Sequence, residues 1–511
     1  LNLNRKMSYL TSIINAINRR RMKEIDYFRK HPVEVQEKVL RHLLKRAAGT
    51  KWGRDHHYSS ITNFGEFKAR VPLQTYEDII PFVERIRSGE KDLLWPGEVR
   101  WFAKSSGTTG ARSKFIPVTG ESLEECHYRG GRDVIALYLH MRPDSSVFRG
   151  KGLILGGSHK IDNFSNKSLY GDLSAILIEN TPFWFNFVRT PSKKVALIDD
   201  FEKKLDMIVR LTVNQNVTSL SGVPSWFLVL IRQILERTGK KNLREVWPGL
   251  EVFFHGGVSF APYREHFRQL IGDGGFCYME TYNASEGFFG IQDDFTSPGM
   301  LLMLDNGIFY EFIPAAEAGN PGARTLGMGE VGEGVNYAMV ISTNGGLWRY
   351  IIGDTVMFTS LYPHKFIITG RTKHFLNVFG EEVIVENADR AIEAACNATG
   401  AVVNEYTAGP VFSGTETRGS HEWLIEFQKK PADMELFTLK LDEALKEVNS
   451  DYEAKRFKDL NLVMPVVRAV PEGTFYRWLK EKNKLGGQNK VPRLSNSREY
   501  IEDLYKIAGI Q

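Results

Sequence analysis

Apolar residues along this chain recur first at helical and then at strand spacing, and the two patterns alternate through most of its 511 residues. Over residues 7–49, Tyr9, Leu10, Ile13, Ile14 and Ile17, and later Val35, Val39, Leu40, Leu43 and Leu44, fall at helical intervals. They predict two helices, broken near His31-Pro32 and stopped at Gly49. Residues 73–83 read as another capped helix start, and 99–103 and 115–118 as strands around a tight turn. Beyond it the spacing predicts a helix over 120–140 and a buried strand over 151–157 that ends in a glycine turn. An irregular, aromatic stretch is expected over 159–191. Helices over 199–214 and 224–238 then bracket a strand at 217–222, and strands follow at 252–257 and 276–280. Charge-poor strands alternating with helices are the pattern of a parallel sheet covered on both faces, whose sites lie at the carboxyl ends of its strands.

The pattern changes at residues 301–358, where short, glycine-punctuated runs predict antiparallel strands or a small barrel. After 370–373 a helix is expected over 385–399, then strands at 402–407 and 422–427, another helix and a final glycine-rich loop. The fold class is therefore α/β. A large N-terminal domain, residues 1–373, combines parallel or mixed sheets flanked by helices with a small barrel-like part, and a smaller α+β domain spans 374–511. The boundary falls within 373–377.

Composition narrows the function classes. Hydrophobic residues at 42% and charged residues at 25% are ordinary for a globular protein. Sixty-six basic against sixty-one acidic side chains leave +5 without a basic stripe, so no nucleic-acid partner is expected. No apolar run reaches the length of a membrane span and no cleavable leader is evident, so a cytoplasmic protein without a membrane partner is expected. Three scattered cysteines, Cys126, Cys277 and Cys396, suit neither a disulfide framework nor a metal site and point to a reducing compartment.

Candidate chemistry lies in five short stretches. Ser105, Ser106, Thr108 and Thr109 surround Gly107 and Gly110, so hydroxyls and exposed amides stand ready to donate to phosphate oxygens. The spacing is neither a Walker loop nor a dinucleotide fingerprint, and an ordinary Ser/Gly turn has the same composition. Tyr282 to Glu286 follow a buried strand and offer an aromatic face for a purine and a carboxylate suited to Mg²⁺. A helix-capping Ser-Glu pair would read the same way. Asp354 after Gly353 suits both ribose hydroxyls, or a plain strand-end turn, and Arg371 after Gly370 can put a guanidinium on phosphate or ribose. Last comes Lys490, held behind Gly486-Gly487, where most lysines are solvated surface charges.

In this order the five stretches resemble the acyl-adenylate-forming enzymes, and over nearly the whole chain they resemble the Gretchen Hagen three family of acyl acid amido synthetases. The resemblance implies ATP and Mg²⁺ as cofactors, a small-molecule carboxylic acid and an amino acid as substrates, and a C-terminal domain that swings between adenylation and acyl transfer. It implies that Ser105, Ser106, Thr108 and Thr109 face the nucleotide phosphates, and that Gly257, Tyr282 and Ser285 sit by the adenine and α-phosphate. Glu286 would lie near Mg²⁺, Asp354 would hold the ribose and Lys490 would reach the α-phosphate. Plant members usually carry Tyr-x-Ser-Ser-Glu where Tyr282-Asn283-Ala284-Ser285-Glu286 stand here, and Trp348 stands where tyrosine is frequent. The acyl-site segments 183–187 and 222–226 match no plant hormone-binding pattern. Arg371 completes the nucleotide set, and His255 is either a base for the attacking amine or a satisfied core histidine. The alternatives are a carboxylate:CoA ligase using the same first step and a non-catalytic nucleotide-binding regulator.

Overall fold

A computed structural model describes residues 18–510 apart from 106–113, 157–161, 166–167, 258–259, 261–262, 273, 321, 373–374, 377–380, 382, 413–418, 457–461, 483 and 486–489. The start of the first expected helix, most of the Ser/Thr-rich loop with Ser106, Thr108 and Thr109, most of the interdomain boundary and the late glycine loop therefore lie outside the described residues. Helix occupies 18–30 and Pro32–Ala47, with the expected break at His31. Helix Tyr76–Arg87 begins on a capping box in which Thr75 and Asp78 satisfy each other's end of the first turn.

An eleven-stranded sheet organises the fold. Its parallel half runs Arg189–Thr190, Lys151–Leu155, Val217–Gly222, Val252–Gly256, Cys277–Ala284. In the strand Val252–Gly256, Val252 and Phe254 enter one hydrophobic core while Phe253 enters another, so the sheet is buried on both faces as its charge-poor strands foretold. Strand Val217–Gly222 and helices Pro224–Thr238 and Val385–Thr399 form at the residues expected of them.

One alternative is decided and two expectations are corrected. Of antiparallel strands or a small barrel, residues 301–358 form antiparallel strands. Their strands continue the same sheet through the antiparallel series Gly287–Ile291, Met300–Leu302, His364–Arg371, Tyr350–Leu361, Asn336–Thr343 and Ile308–Pro314. The joint is the three-residue strand Met300–Leu302, too short to announce itself in a hydrophobic pattern. The stretch expected to be irregular over 159–191 carries strand Ser168–Gly171 and helix Leu173–Asn180, whose apolar residues lie on most of its circumference and so show no helical period. The strand expected to end at residue 280 runs through Ala284, leaving only Ser285 and Glu286 between it and its antiparallel neighbour.

A four-stranded sheet beside the main one holds Trp101–Ser105 antiparallel to Lys114–Val118, with Ser105 paired to Lys114. Toward the C-terminus, strands Val402–Phe412, Gly419–Lys429 and Val466–Val470 form a third sheet. Trp423 and Ile425 pack on helices Val385–Thr399 and Met434–Val448, whereas Leu424, Val470, Phe475 and Trp478 join the core that holds Leu205 and Phe253. The C-terminal portion is thereby seated on the body of the molecule.

Arg349 holds the bend that leads into Tyr350–Leu361. Its φ of 42° is left-handed, and its buried guanidinium pairs with buried Glu311 at 2.9 Å and donates to the Lys68 and Val71 carbonyls. Removing one partner of such a pair leaves a buried charge uncompensated, at a cost of about 3–5 kcal/mol. Glu311→Ala is expected to lower the unfolding free energy by that amount in urea titration, and a change under about 1 kcal/mol would show that the pair is not what holds this bend.

Candidate active site

The carboxyl ends of the parallel strands open into one cavity of about 2220 Å³, which also receives the ends of the antiparallel strands and the C-terminal segment. Asp354 and Arg371 face each other across adjacent antiparallel strands. That register makes their ion pair, with Arg371 Nε donating to Asp354 Oδ1 at 2.7 Å. The Tyr282 hydroxyl donates to Oδ2 of the same carboxylate. Burial, then Asp354, push the Tyr282 hydroxyl well above the usual phenol range, and Asp354 holds the Arg371 guanidinium in its charged form. An ionised carboxylate offers about four acceptor sites, so Asp354 retains capacity for two more donors. A ribose diol supplies two. Gly353 (φ 91°) and Gly370 (φ 154°) flank the pair in backbone conformations that favour glycine.

Lys490 completes this corner from the C-terminal side. Gly257, at the end of strand Val252–Gly256, has φ 88°, and a Cβ there would lie 3.4 Å from Lys490 Cε and 3.5 Å from its Nζ. Those are ordinary contact distances, so it is the left-handed backbone rather than lack of room that favours glycine beside the ammonium. Surrounding protein, then the Arg371 cation, lower the Lys490 pKa to about 8 against the opposing pull of Asp354. The lysine is anchored three residues on by Arg493, which donates to the Tyr263 hydroxyl at 2.7 Å, pairs with Glu405 at 3.1 Å and stacks over the Tyr406 ring.

Ser285 and Glu286 form the turn beneath this corner. Ser285 is 3% exposed and its hydroxyl has no hydrogen-bond partner among the described residues, an orphan that a ligand oxygen would satisfy. The Glu286 carboxylate accepts no hydrogen bond from another residue among those described, and it lines the cavity. Burial raises its pKa, opposed first by Lys114. A half-buried carboxylate with no protein partner fits a Mg²⁺ ligand, since Mg²⁺ takes one or two carboxylates and shares the rest of its shell with water and phosphate. Among the described residues no cluster of three His, Cys, Asp or Glu offers a self-sufficient metal cage.

The structure thus brings Gly257, Tyr282, Ser285, Glu286, Asp354, Arg371 and Lys490 to one cavity. Ser105 ends the strand that leads into the Ser/Thr-rich loop. Of the two alternatives for His255 the core residue holds: it is buried, stacked on Phe260 at 4.2 Å and absent from the cavity wall, and desolvation lowers its pKa to about 3. It is a core histidine.

Three cavity residues were not singled out from the sequence. Lys114 lies at the exit of the Ser/Thr-rich loop, where its charge acts on Glu286. Arg493 was visible only as part of the late lysine stretch. Glu280 interrupts an apolar strand two residues before Tyr282, and a charge at that position was the available signal. Burial raises its carboxyl to about 7, and the Arg264 cation opposes the shift.

Among the described residues no helix is long and apolar enough to cross a membrane. Sequence models of the GH3 family match in chain order: its N-terminal domain over residues 21–275, its central domain over 301–371 and its C-terminal domain over 386–499. Indole-3-acetic acid-amido synthetase GH3.3 of Arabidopsis thaliana is 24% identical, over 90% of this chain and 89% of that protein. The 4-substituted benzoates-glutamate ligase GH3.12 of the same plant is 23% identical, over 86% and 88%. Among solved structures, GH3.15 acyl acid amido synthetase superposes with a TM-score of 0.76 at 20% identity, covering 93% of both chains. A 2-hydroxyisobutyryl-CoA ligase in its postadenylation state superposes at 0.59 with 14% identity, covering 93% and 91%. The two superpositions show that the fold is that of the adenylate-forming ligases.

Because Glu280 holds its proton more tightly in the fold than its ordinary value of 4.5, the native state binds more protons than the unfolded chain between about 4.5 and about 7. Its contribution to stability therefore falls as pH rises through that window. Glu280→Gln is expected to gain thermal stability over the parent protein at pH 8 relative to pH 5, and a Tm difference that does not vary with pH would show that Glu280 is not desolvated.

With all three of its domains matched in order over most of the chain, this protein belongs to the GH3 family.

Proposed function

We propose that the protein is an ATP-dependent acyl acid amido synthetase, which joins a carboxylic acid to AMP and then passes the acyl group to an amino acid. The observation that carries this reading is the convergence on one cavity of four complementary groups. They are the Asp354–Arg371–Tyr282 cluster with spare acceptor capacity, the orphan Ser285 hydroxyl, the unpaired Glu286 carboxylate and the Lys490 ammonium over Gly257. The names of the relatives, which include amido synthetases and a benzoate-glutamate ligase, support the same reaction class.

In the first step a carboxylate oxygen attacks the α-phosphorus of ATP and pyrophosphate leaves. Two anions must approach, so the chain has to supply positive charge. Lys490 does so at the α-phosphate, and the Ser/Thr-rich loop that includes Ser105, Ser106, Thr108 and Thr109 donates to the phosphates. Mg²⁺, held by Glu286, supplies further charge neutralisation when bound. Asp354 fixes the ribose through its remaining acceptor sites, and Tyr282 with Gly257 and Ser285 borders the base and α-phosphate. Holding the reactants in line removes up to roughly 7–11 kcal/mol of the barrier in well-oriented cases. In the second step the amine displaces AMP and must first lose a proton. Glu280, in the cavity wall with a proton affinity near neutrality, is matched to accept it. We divide the chain at 373–377 into an N-terminal unit that binds ATP and the acid and a C-terminal unit, 374–511, that carries Lys490 and moves between the steps. With three unpaired cysteines we place the protein in the cytoplasm.

AMP release measured with ATP, an acid panel and either an amino-acid panel or CoA tests the reaction. Amino-acid-dependent release with a mass-identified amide is expected, whereas release with CoA alone would assign the protein to the CoA ligases. Lys490→Ala is expected to slow acyl-adenylate formation on the order of 10²-fold or more while ATP still binds, as for removal of a preorganised donor. An unchanged rate would take Lys490 out of the site. Glu286→Gln is expected to move the Mg²⁺ titration of that step to higher concentration, and a curve superimposable on the parent's would contradict the metal role.

A further inference from the structure

At the opposite end of the cavity lies a cation that the reaction above does not use. Arg189 sits on the edge strand Arg189–Thr190, is 2% exposed and lines the cavity. Among the described residues its only hydrogen-bond partner is the neutral Asn186 oxygen, at 3.2 Å from Nε and 2.9 Å from Nη2, and its guanidinium lies 5.5 Å from the Phe185 ring centre. No described carboxylate pairs with it. A buried arginine remains charged, and leaving that charge without a counter-ion is costly, so the arrangement is built for an anion that enters through the cavity. Burial lowers the Arg189 pKa, and the phenol of Tyr128, also in the wall, opposes the shift.

Register measures how far this cation lies from the reacting centre. Arg189 pairs with Gly152, Gly152 with Ser219 and Ser219 with Val252, and Gly257 follows five residues beyond Val252. Three strand spacings across and five residues along place the two Cα positions roughly 21 Å apart. The arginine stands roughly perpendicular to the sheet and leans along it, so its guanidinium and Gly257 are separated by roughly 15–20 Å. An α-amino acid places its amine and carboxylate only about 4 Å apart, so its carboxylate cannot reach Arg189 while its amine attacks an acyl-AMP beside Gly257. The anion must belong to the acid. Between the two ends the wall is largely apolar, with Ile154, Leu177 and Ile178, and a Cβ on Gly152 would meet Ser219 Oγ at 3.0 Å, so glycine keeps the floor open there.

We propose that Arg189 is the seat for a second carboxylate on the acyl substrate, which makes the acid activated here an apolar dicarboxylic acid. Its two acidic ends stand roughly eight to twelve bonds apart, at about 1.2 Å per bond. This inference rests on the ligase reading for its chemistry, but not for its binding. Affinities for decanedioic acid, its monomethyl ester and decanoic acid are measured by calorimetry without ATP, on the parent protein and on Arg189→Gln and Arg189→Lys. Decanedioic acid is expected to bind the parent at least ten-fold more tightly than either of the other two acids, as befits a charge-assisted contact in a desolvated site. The preference falls to about one in Arg189→Gln and is partly kept in Arg189→Lys, with unchanged ATP affinity showing that both variants are folded. Equal affinity of the parent for all three acids, or a preference that survives in Arg189→Gln, would overturn the assignment. The same trio in acid-dependent pyrophosphate exchange separates the two readings: the binding preference without exchange upholds the seat and sinks the ligase, and exchange without the preference does the reverse.

Discussion

The carboxylate of Asp354 is the point on which this site depends. It is held by a cross-strand guanidinium on one side and a phenol on the other, and each partner comes from a different part of one continuous sheet. Tyr282 belongs to the strand at which the sheet changes from parallel to antiparallel, whereas Asp354 and Arg371 belong to the antiparallel half. The Tyr282–Asp354 contact spans the two halves, and the short strand Met300–Leu302 joins them into one sheet. Fold and site are therefore coupled through register.

The second constraint is the approach of the C-terminal segment. Lys490 lies in contact range of Gly257 at the strand ends, and Arg493 fixes the following residues to Tyr263 and Glu405. Desolvation first, and then the neighbouring Arg371 cation, lower the proton affinity of Lys490. Such a lysine is suited to an α-phosphate, whose arrival supplies the missing negative charge. The surface contacts between the two portions, such as Lys480 with Glu202, are exposed pairs of small energetic worth, whereas Leu424 and Trp478 are buried against the body.

Much of this was legible in the sequence wherever periodicity was strong and local. Strand Val217–Gly222 and helices Pro224–Thr238 and Val385–Thr399 emerged with the expected bounds, because each carries a clean apolar period between turn residues. Asp354 and Arg371, each directly after a glycine, and Lys490, shortly after a glycine pair, could be singled out because backbone freedom near a charged residue leaves a recognisable trace. What escaped depends on long-range pairing. The continuity of the antiparallel half rests on three residues, and the helix Leu173–Asn180 is apolar nearly all round. His255 stood open between a base and a core residue, because no spacing rule distinguishes the two faces of a buried strand. Arg189 has no motif at all. Its significance comes from being buried, facing a cavity and lacking an acid, and none of those properties is written in one dimension.

In the proposed reaction the Asp354 corner, the Glu286 carboxylate and Lys490, gathered around one cavity, serve to activate an acid with ATP. Isotope exchange between pyrophosphate and ATP, measured with Mg²⁺ across aryl, indolyl, aliphatic and dicarboxylic acids, reads that first step alone. The account predicts exchange that requires an added acid and singles out one acid class. ATP binding at this cavity with no exchange under any acid would contradict it.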